Sequence, residues 1–504
     1  MSGDTRTGAD HNSSNVDDSL STRSGIQSPV SRVLMEDIES GKDAAQPKLR
    51  YLMSLILNFL QVPGQVLLIE GAPGTGKTSL ALEILNRMEE SHKIYASSRV
   101  SPDKLRQHFP WINEVMDSMT GRTARSNWLD EFHDFRSADP DSVLSRVLRL
   151  KQSRRKAVLV IDSWEGAVRN IKEEGRNVLE SALLSDLDES KVSIVIVTET
   201  AKHDHLDYLV DGIVNLEQSS LEGRRIRSME LKKLRGFQVS TLRGLFTLVG
   251  GRFTLLPLGP SNGVHEVPSR LVPIPHKEDK FSTGISDLDR LLGGGGDKGS
   301  VLLIDIDSDV PPQWMRKFLA IIRANFVNQD GACFIVPTGG YSSDNVEETL
   351  RPLVGEAAVN ERVRIAAYSR NPVPKEWRIQ LSGQILEDVR TFAKAWGPLS
   401  KYTAGNLLSI SLDRLTSVYG DDLTLPAMTD LGEGLRDSGA FQILTTTLRT
   451  KVREDALRSA DYHLRLENEG GSFILYGIKP FTPAYAVESN HDKGYPAMTL
   501  TPIV

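Results

Sequence analysis

GAPGTGKT, residues 71–78, is the stretch of sequence that decides the fold of this chain. It follows the apolar run QVLLIE (65–70) and precedes a segment whose apolar residues recur at helical spacing. The pattern G-x-x-x-x-G-K-[ST] between a buried strand and a helix is typical of a phosphate-binding loop, or P-loop. Its glycines let several backbone N–H groups point at one phosphate, and the helix N-terminus adds its dipole. The sequence therefore predicts a nucleotide site.

The predicted site takes residues from the P-loop and from a second strand. Lys77 is expected to contact the β- and γ-phosphates, and the Thr78 hydroxyl to ligate Mg²⁺. Asp162 ends the run VLVID, and a carboxylate at the end of a strand next to the P-loop strand suits an outer Mg²⁺ ligand. The alternative is that Asp162 caps the following helix. We expect ATP to be bound by Gly71, Ala72, Pro73, Gly74, Thr75, Gly76, Lys77, Thr78 and Ser79, with Thr78 and Asp162 beside the metal.

Short apolar runs that alternate with helical patterns predict the fold class. Continuous runs such as AVLVI (157–161) and VSIVIV (192–197) are typical of strands buried on both faces. Helical patterns between them indicate βαβ units and a parallel sheet. A second strand–helix series follows residue 280. We interpret it as a diverged internal duplication, with two unrelated α/β domains as the alternative.

The chain is expected to have five segments. Residues 1–44 are rich in Ser, Asp, Gly, Asn and Thr and predict a disordered tail, either a solvated leader or a partner-binding segment. An ATP-binding domain over 45–258 and a linker over 259–280 follow. A second domain is expected over 281–488 and a C-terminal tail over 489–504.

Composition excludes several classes of protein. The net charge of −6 over 504 residues argues against a generic polyanion binder. A single cysteine, Cys333, excludes an internal disulfide and a cysteine-based zinc site, and it fits a reducing cytosol. No apolar run reaches the roughly 18–20 residues of a membrane helix, and no secretion signal is recognisable. We expect a cytoplasmic protein without a membrane contact.

Several segments resemble the KaiC-like ATPases of the RecA superfamily. These are VLVIDSWEG, SIVIVTE, LDYLVDGIVNLE, KLRG and, in the second half, FSTGISDLDRLLGGG. KIYASSRVSPDKLRQHFPW and GLFTLVGGRFTLLP resemble the GvpD-like branch, the archaeal gas-vesicle regulators. The resemblance implies two tandem RecA/KaiC-like domains. It also implies that Lys233 and Arg235 reach the nucleotide of a neighbouring subunit in a homo-oligomer, where they would neutralise charge on the transferred phosphoryl group.

Two departures from the KaiC-like pattern affect the predicted chemistry. Arg99 and Val100 stand where that family carries paired glutamates, so a water-activating carboxylate is missing and hydrolysis is expected to be slow. Glu165 is the substitute that we predict. In the second half, Asp305, Asp307 and Asp309 stand where phosphates would bind, Pro311 and Pro312 remove backbone donors, and Asp413 takes the place of Asp162. The second domain is therefore expected to be degenerate.

The basic stretch EGRRIRSMELKKLR (222–235) allows three interpretations. It could contact nucleotide between subunits, bind nucleic acid through phosphates, or form a solvated strand edge. Our preferred function is an ATP-gated switch that acts on a protein partner, such as a transcription regulator. The alternative is a DNA recombination or repair accessory ATPase related to RadA paralogues. Sparse aromatic residues and the net charge disfavour nucleic acid.

Overall fold

A computed structural model describes most of the chain. The described residues are 49–89, 91–113, 129, 131–134, 149, 156–169, 180, 191–199, 206–259, 269–368, 373–402, 404–447, 452–491 and 493–504. The tail expected over residues 1–44 lies outside them. Residues 45–504 form one compact unit that contains two large sheets.

The first sheet has nine described strands in the order β3-β2-β4-β5-β1-β6-β7-β8-β9. The strands from β3 to β6 in this order are parallel, and β7, β8 and β9 continue the sheet in antiparallel fashion. The strands are β1 (Val66–Gly71), β2 (His92–Ser97), β3 (Glu131–Asp134), β4 (Ala157–Asp162), β5 (Val192–Val197), β6 (Gly212–Leu221), β7 (Arg224–Leu234), β8 (Arg243–Thr247) and β9 (Thr254–Leu255). The helices are α1 (Leu49–Gln61), α2 (Lys77–Arg87), α3 (Pro102–His108), α4 (Trp164–Val168) and α5 (Leu206–Leu209).

The second sheet has ten described strands in the order β15-β14-β13-β16-β17-β12-β18-β19-β20-β21. They are β12 (Val301–Ile306), β13 (Ala332–Val336), β14 (Val363–Ala367), β15 (Arg378–Gln380), β16 (Asn406–Ser411), β17 (Phe441–Thr447), β18 (Tyr462–Glu469), β19 (Ser472–Lys479), β20 (Ala484–Asn490) and β21 (Ala497–Pro502). Before it, β10 (Lys280–Phe281) pairs with β11 (Gly296–Asp297). The helices are α6 (Ser286–Leu291), α7 (Pro312–Val327), α8 (Ser343–Val354), α9 (Glu356–Arg362), α10 (Ile385–Trp396), α11 (Leu412–Tyr419), α12 (Asp421–Asp437) and α13 (Arg453–Ser459).

The two sheets share one topology. With β15 set aside, β14-β13-β16-β17-β12-β18-β19-β20-β21 repeats the order of the first sheet strand for strand. The P-loop strand β1 (VLLIEG) corresponds to β12 (VLLIDI). The predicted α/β fold with two tandem, mainly parallel sheets is confirmed, and the shared order supports an internal duplication.

Burial explains why the apolar runs form strands. Every residue of β1, β4, β5 and β12 is buried, because helices cover both faces of each parallel region. Helix α1 adds an apolar face to the core of the first domain, with Ile56 and Phe59 fully buried. None of the helices among the described residues is long and apolar enough to span a membrane.

The ends of the second domain differ from the sequence prediction. The C-terminal tail expected over 489–504 is wrong for 497–502, because these residues form β21 and pair along β20. Within the expected linker 259–280, Leu271 is buried and the Ile274 N–H donates to Asn325 Oδ1 at 2.7 Å. This part of the linker is therefore fastened to the second domain.

One apolar cluster joins the two domains. It takes Ile226, Leu245 and Leu256 from the first domain. From the second domain it takes Ile474, Tyr476, Ala484, Ala486 and Ile503. Burying these side chains together stabilises the contact at about 25 cal/mol per Å² of apolar surface removed from water.

Candidate nucleotide site

The P-loop begins at the carboxyl end of β1 and ends at the first turn of α2. Gly71 has φ +148°, and a side chain there would lie 2.4 Å from the carbonyl oxygen of Leu216. Gly76 has φ +102° and caps the 11-residue helix α2. Residues 72–74 are exposed, whereas Thr75, Lys77 and Ser79 are buried. The loop therefore presents backbone and a helix N-terminus to solvent, as an anion site requires.

Lys77 folds back over the loop. Its Nζ donates to the carbonyl oxygens of Gly71 at 2.6 Å and Ala72 at 2.9 Å. Burial lowers the pKa of Lys77, while the carboxylates of Glu199, Asp162 and Glu165 act to raise it. Anionic phosphate oxygens bind an ammonium group more strongly than neutral carbonyl oxygens do, so a bound nucleotide would take over these hydrogen bonds.

Asp162 links β4 to the P-loop helix. The Thr78 hydroxyl donates to Asp162 Oδ2 at 2.8 Å, and the buried Tyr95 hydroxyl donates to the same oxygen at 2.6 Å. The expectation that β4 lies directly next to β1 is wrong, because β5 separates them. Asp162 still reaches Thr78 because the strands end at one edge of the sheet.

The Thr78–Asp162 pair suits a cation that arrives with a nucleotide. Within the described part of the chain, no group of three His, Cys, Asp or Glu side chains is arranged to hold a metal ion. Mg²⁺ commonly takes one or two protein ligands and completes its shell with phosphate oxygens and water. The pair at 2.8 Å offers one hydroxyl and one carboxylate for that purpose.

Glu165 and Glu199 form the other wall of the site. The Glu199 N–H donates to Glu165 Oε1 at 2.8 Å, and the Glu199 carboxylate is paired with Arg99. The structure brings Glu165, the predicted substitute for the missing glutamates, into the surroundings of Lys77, and it adds Glu199, which sequence reasoning missed. The signal was available, since Glu199 lies two residues after the end of β5, the strand between β4 and β1.

Comparison with known proteins agrees with this geometry. Residues 56–232 match the family model described as GvpD gas vesicle protein, P-loop domain. The first domain is similar to the P-loop domain of GvpD. The whole chain is 28% identical over 479 residues to Protein GvpD2 of Halobacterium salinarum and 27% identical over 535 residues to Protein GvpD1 of the same organism. Both alignments cover 88% of this chain and 95% of the relative.

Lys233 and Arg235 lie away from the P-loop. Lys233 Nζ donates to the carbonyl oxygens of Asp207 and Val210 at 2.9 and 2.8 Å. Arg235 pairs with Asp211, whose carboxylate accepts from the Val66 N–H at the start of β1. Because β1 has six residues, its two ends lie about 16 Å apart. Neither side chain can therefore serve the nucleotide of its own chain.

Two arginines of the basic stretch form a contact between the domains, which none of the three interpretations anticipated. Arg224 donates to the carbonyl oxygens of Thr482 at 2.7 Å and Gly477 at 2.6 Å, and its guanidinium stacks on Tyr476 and Phe481. Arg224 is only 4% exposed. Its side chain is therefore not available to nucleic acid.

Arg227 connects the P-loop to the C-terminal strand of the second domain. Its Nη1 donates to the Gly74 carbonyl oxygen at 2.9 Å, and its Nε donates to the main-chain oxygen of Val504 at 2.6 Å. Nearby, the Thr247 hydroxyl donates to the Pro502 carbonyl oxygen at 2.6 Å. Burial lowers the pKa of Arg227, which is 5% exposed. The exposed tip of the P-loop is thus held by a buried cation that also holds Val504, two residues after the end of β21.

The loop of the second domain that corresponds to the P-loop has the same length but different chemistry. Five residues separate β1 from α2, and five separate β12 from α7. Pro312 begins α7 where Lys77 begins α2, and Pro311 takes the place of Gly76. The loop therefore lacks the ammonium group and two backbone donors.

Two predictions about the aspartates of the second domain are wrong. Asp305 does not lie at a phosphate position, because it is buried inside β12, where it corresponds to Glu70 of β1 and pairs with Arg453. Burial acts to raise the pKa of Asp305, but the nearby His463 and the hydrogen bonds from Arg453 outweigh it and lower the pKa. Asp307 and Asp309 do lie in the loop.

Asp413 does not take the place of Asp162. In the first sheet Asp162 pairs with Val197, and the corresponding pair in the second sheet is Ser411 with Thr445. Asp413 lies two residues further on and accepts the Thr447 N–H at 2.9 Å. It therefore caps the end of β17 instead of facing a phosphate.

Proposed function

We propose that the first domain binds MgATP and that the second domain responds to the nucleotide. The observation that carries the first part is the arrangement of Lys77, Thr78 and Asp162 around a loop whose tip is exposed. Lys77 would hold the β- and γ-phosphates, and Thr78 with Asp162 would hold the Mg²⁺ ion. The metal would neutralise phosphate charge when bound.

The binding proposal is tested by exchanging one lysine. Lys77→Ala removes charge-assisted hydrogen bonds worth roughly 1.5–3 kcal/mol, so we expect a ten- to hundredfold loss of ATP affinity in calorimetric titration. Lys298→Ala is the matched control, because Lys298 is an exposed lysine of the second domain. Equal affinity in wild type and Lys77→Ala would refute the site.

The switch part of the proposal rests on Arg227. A nucleotide that enters the loop 72–74 must adjust the backbone whose Gly74 carbonyl Arg227 holds. The same guanidinium holds Val504. A change at the phosphates therefore has a direct hydrogen-bonded route to β21, and two states of that contact would constitute the switch.

Slow hydrolysis is proposed from the environment of Arg99. Arg99 occupies the position of the missing glutamates and neutralises Glu199 as an ion pair. Glu165 accepts a hydrogen bond from the backbone N–H of Glu199. A carboxylate that is engaged in this way activates water poorly, so ATP would stay bound long enough to act as a signal.

The partner is proposed to be a protein. GvpD2 and GvpD1 each align with 88% of this chain, and the matching family model is described as GvpD gas vesicle protein, P-loop domain. We propose a role in regulation of gas-vesicle genes through a transcription regulator, in a cytoplasmic homo-oligomer. Affinity capture from the native cell with ATP-loaded protein and with Lys77→Ala should recover that regulator in the first sample alone. Capture of it equally by both samples would overturn the nucleotide dependence.

The alternative of a DNA-acting ATPase depended on the basic stretch 222–235 as a phosphate-binding surface. Arg224 and Arg227 are buried between the domains, which leaves Arg225 and Lys232 as the exposed cations of β7. Lys232 is paired with the buried Glu70. Salt-dependent binding of DNA with a steep slope would restore this alternative.

A further inference from the structure

Arg99 lies at the edge of the first sheet where the P-loop begins. It follows the last residue of β2, Ser97, by two positions, and Ser97 pairs with Asp162 of β4. The Ser98 N–H donates to the carbonyl oxygen of Asp162 at 2.8 Å, and the Arg99 N–H donates to Ser97 Oγ at 3.3 Å. The backbone of Arg99 is therefore fixed beside the carboxylate that we expect next to the metal.

Glu199 holds the side chain of Arg99 from further along the same edge. The neighbouring Thr198 N–H donates to the carbonyl oxygen of Ile69 in β1 at 2.9 Å, so Glu199 lies next to the strand that leads into the P-loop. The Glu199 carboxylate forms an ion pair with Nη2 of Arg99. Because β4 lies between β2 and β5, the Arg99 side chain reaches across the end of β4 toward the P-loop.

The ion pair engages only part of the Arg99 guanidinium. A guanidinium has five N–H donors in a planar fork. Within the described part of the chain, the pair with Glu199 is the one hydrogen bond or ion pair of this group, and the Arg99 side chain is 54% exposed. Its other N–H groups are therefore available to an anion that arrives from solvent. An ion pair this exposed contributes little to folding stability by itself.

The charges around Lys77 indicate which anion would meet Arg99. Lys77 is the residue that we expect at the β- and γ-phosphates. Burial lowers the pKa of Lys77, and among the neighbouring charges Glu199 acts most strongly to raise it, while Arg99 acts to lower it. Both side chains thus lie within electrostatic reach of the Lys77 ammonium group. A terminal phosphate there would face the Glu199 carboxylate, and a cation beside both groups would reduce their repulsion.

The second domain lacks both members of this ion pair. The pairing register of β13, β16 and β17 puts Gly339 at the position of Arg99 and Thr447 at the position of Glu199. The same domain has a proline where α2 begins with the P-loop lysine. The duplicated fold therefore forms without the pair, and the pair occurs in the domain that keeps the phosphate-binding loop.

We propose that Arg99 binds the γ-phosphate of ATP and makes the site prefer a nucleoside triphosphate to a diphosphate. Lys77 and the N-terminus of α2 would hold the β-phosphate, which ATP and ADP share, whereas Arg99 would meet only the third phosphate. Glu199 would orient the guanidinium and is therefore a positioning residue. This specificity rests on the proposed function, since it belongs to the same nucleotide site.

The experiment compares a triphosphate with a diphosphate on the full chain. Calorimetric titration with Mg²⁺ uses ADP and the ATP analogue that has an imido group between its β- and γ-phosphates, which is not hydrolysed. Arg99→Ala should weaken the analogue about five- to thirtyfold, as expected for charged hydrogen bonds at a half-exposed site. Its affinity for ADP should stay within about twofold of wild type, which also shows that the variant is folded.

Two further variants separate a direct contact from a general effect of charge. Arg106→Ala removes the same charge from an exposed position on α3 and should bind both nucleotides like wild type. The double variant Arg99→Ala/Glu199→Gln removes the carboxylate that Arg99 would otherwise screen. Its affinity for the analogue should stay at least about fivefold below that of wild type, because the direct contact is still missing.

Three results would overturn the role of Arg99 alone. The first is a loss in Arg99→Ala that is equal for ADP and the analogue, or no loss for either. The second is the same loss in Arg106→Ala. The third is full recovery in the double variant, which would show that Arg99 only screens Glu199. If wild type binds neither nucleotide, the proposed function itself fails, and the role of Arg99 fails with it.

Discussion

Replacing Arg227 by methionine should uncouple the P-loop from β21. Methionine fills a similar volume but donates no hydrogen bond, so the oxygens of Gly74 and Val504 lose their donor. Arg225→Met is the matched control, because Arg225 is exposed on the same strand. The exchange therefore separates the loss of the buried contact from the loss of one positive charge.

The free energy lost in Arg227→Met follows from its two hydrogen bonds and from the burial of its guanidinium group. Each hydrogen bond from a charged donor is worth roughly 1.5–3 kcal/mol, which gives roughly 3–6 kcal/mol for the pair. Burial of the guanidinium, visible as a lowered pKa, offsets part of this gain. We expect a net loss of about 1.5–3 kcal/mol for the docking of β21, which is about a ten- to hundredfold shift toward the undocked state.

Hydrogen exchange measures this shift directly. The Ile503 N–H donates to the Ala484 carbonyl oxygen at 2.9 Å, so its exchange reports whether the C-terminal strand is docked. Exchange at Ile503 and along β21 should be about ten- to a hundredfold faster in Arg227→Met than in wild type. MgATP should change exchange there in wild type and not in Arg227→Met. If the amide hydrogens of β21 exchange at the same rate in Arg227→Met and Arg225→Met, and respond to MgATP in the same way, then coupling between the P-loop and β21 through Arg227 is refuted.

Three further predictions concern turnover, the domain contact and pH. The rate of phosphate release should be well below the ~1–10³ s⁻¹ of ordinary enzymes and should fall when the protein is diluted. It should drop further in Arg235→Ala, while the affinity for ATP stays unchanged. A fast rate that Glu165→Gln or Glu199→Gln abolishes would instead identify that glutamate as a working general base. Arg224→Lys should lower the free energy of unfolding by about 1–2 kcal/mol in urea titration, because lysine cannot donate to both carbonyl oxygens and stack on Tyr476, whereas Arg225→Lys should stay within about 0.5 kcal/mol of wild type. Burial lowers the pKa of His276 to about 4 from 6.5, so the contribution of neutral His276 to folding stability is present above pH 6.5 and is lost as pH falls toward 4. At pH 5 the free energy of unfolding of wild type should be about 1–2 kcal/mol lower than at pH 7.5, and His276→Asn should not show that loss.

The nucleotide site could be predicted because its chemistry is local in sequence. Eight consecutive residues form the P-loop, and a strand and a helix flank them as the motif requires. Apolar runs predicted the buried strands for a similar reason, because a strand that is buried on both faces needs an apolar residue at nearly every position. Asp162 could be placed at the site because it ends such a run.

Contacts that depend on register or on distant partners could not be predicted. Nothing near Arg227 in sequence points to Gly74 or Val504, which lie 153 and 277 positions away. The placement of Asp413 failed by two residues because pairing between strands, not chain spacing, sets the register. The alternation of buried Met498 and Leu500 in β21 was a usable strand signal, but the segment is short.

The number of nucleotides bound per chain tests the central claim most directly. Equilibrium dialysis with labelled ATP and Mg²⁺ should give one nucleotide per chain for wild type and for Lys298→Ala, and a strongly weakened site for Lys77→Ala. Two nucleotides per chain would show that the loop between β12 and α7 binds phosphate despite Pro311 and Pro312. One nucleotide per chain with unchanged affinity in Lys77→Ala would show that the ATP site lies outside the P-loop.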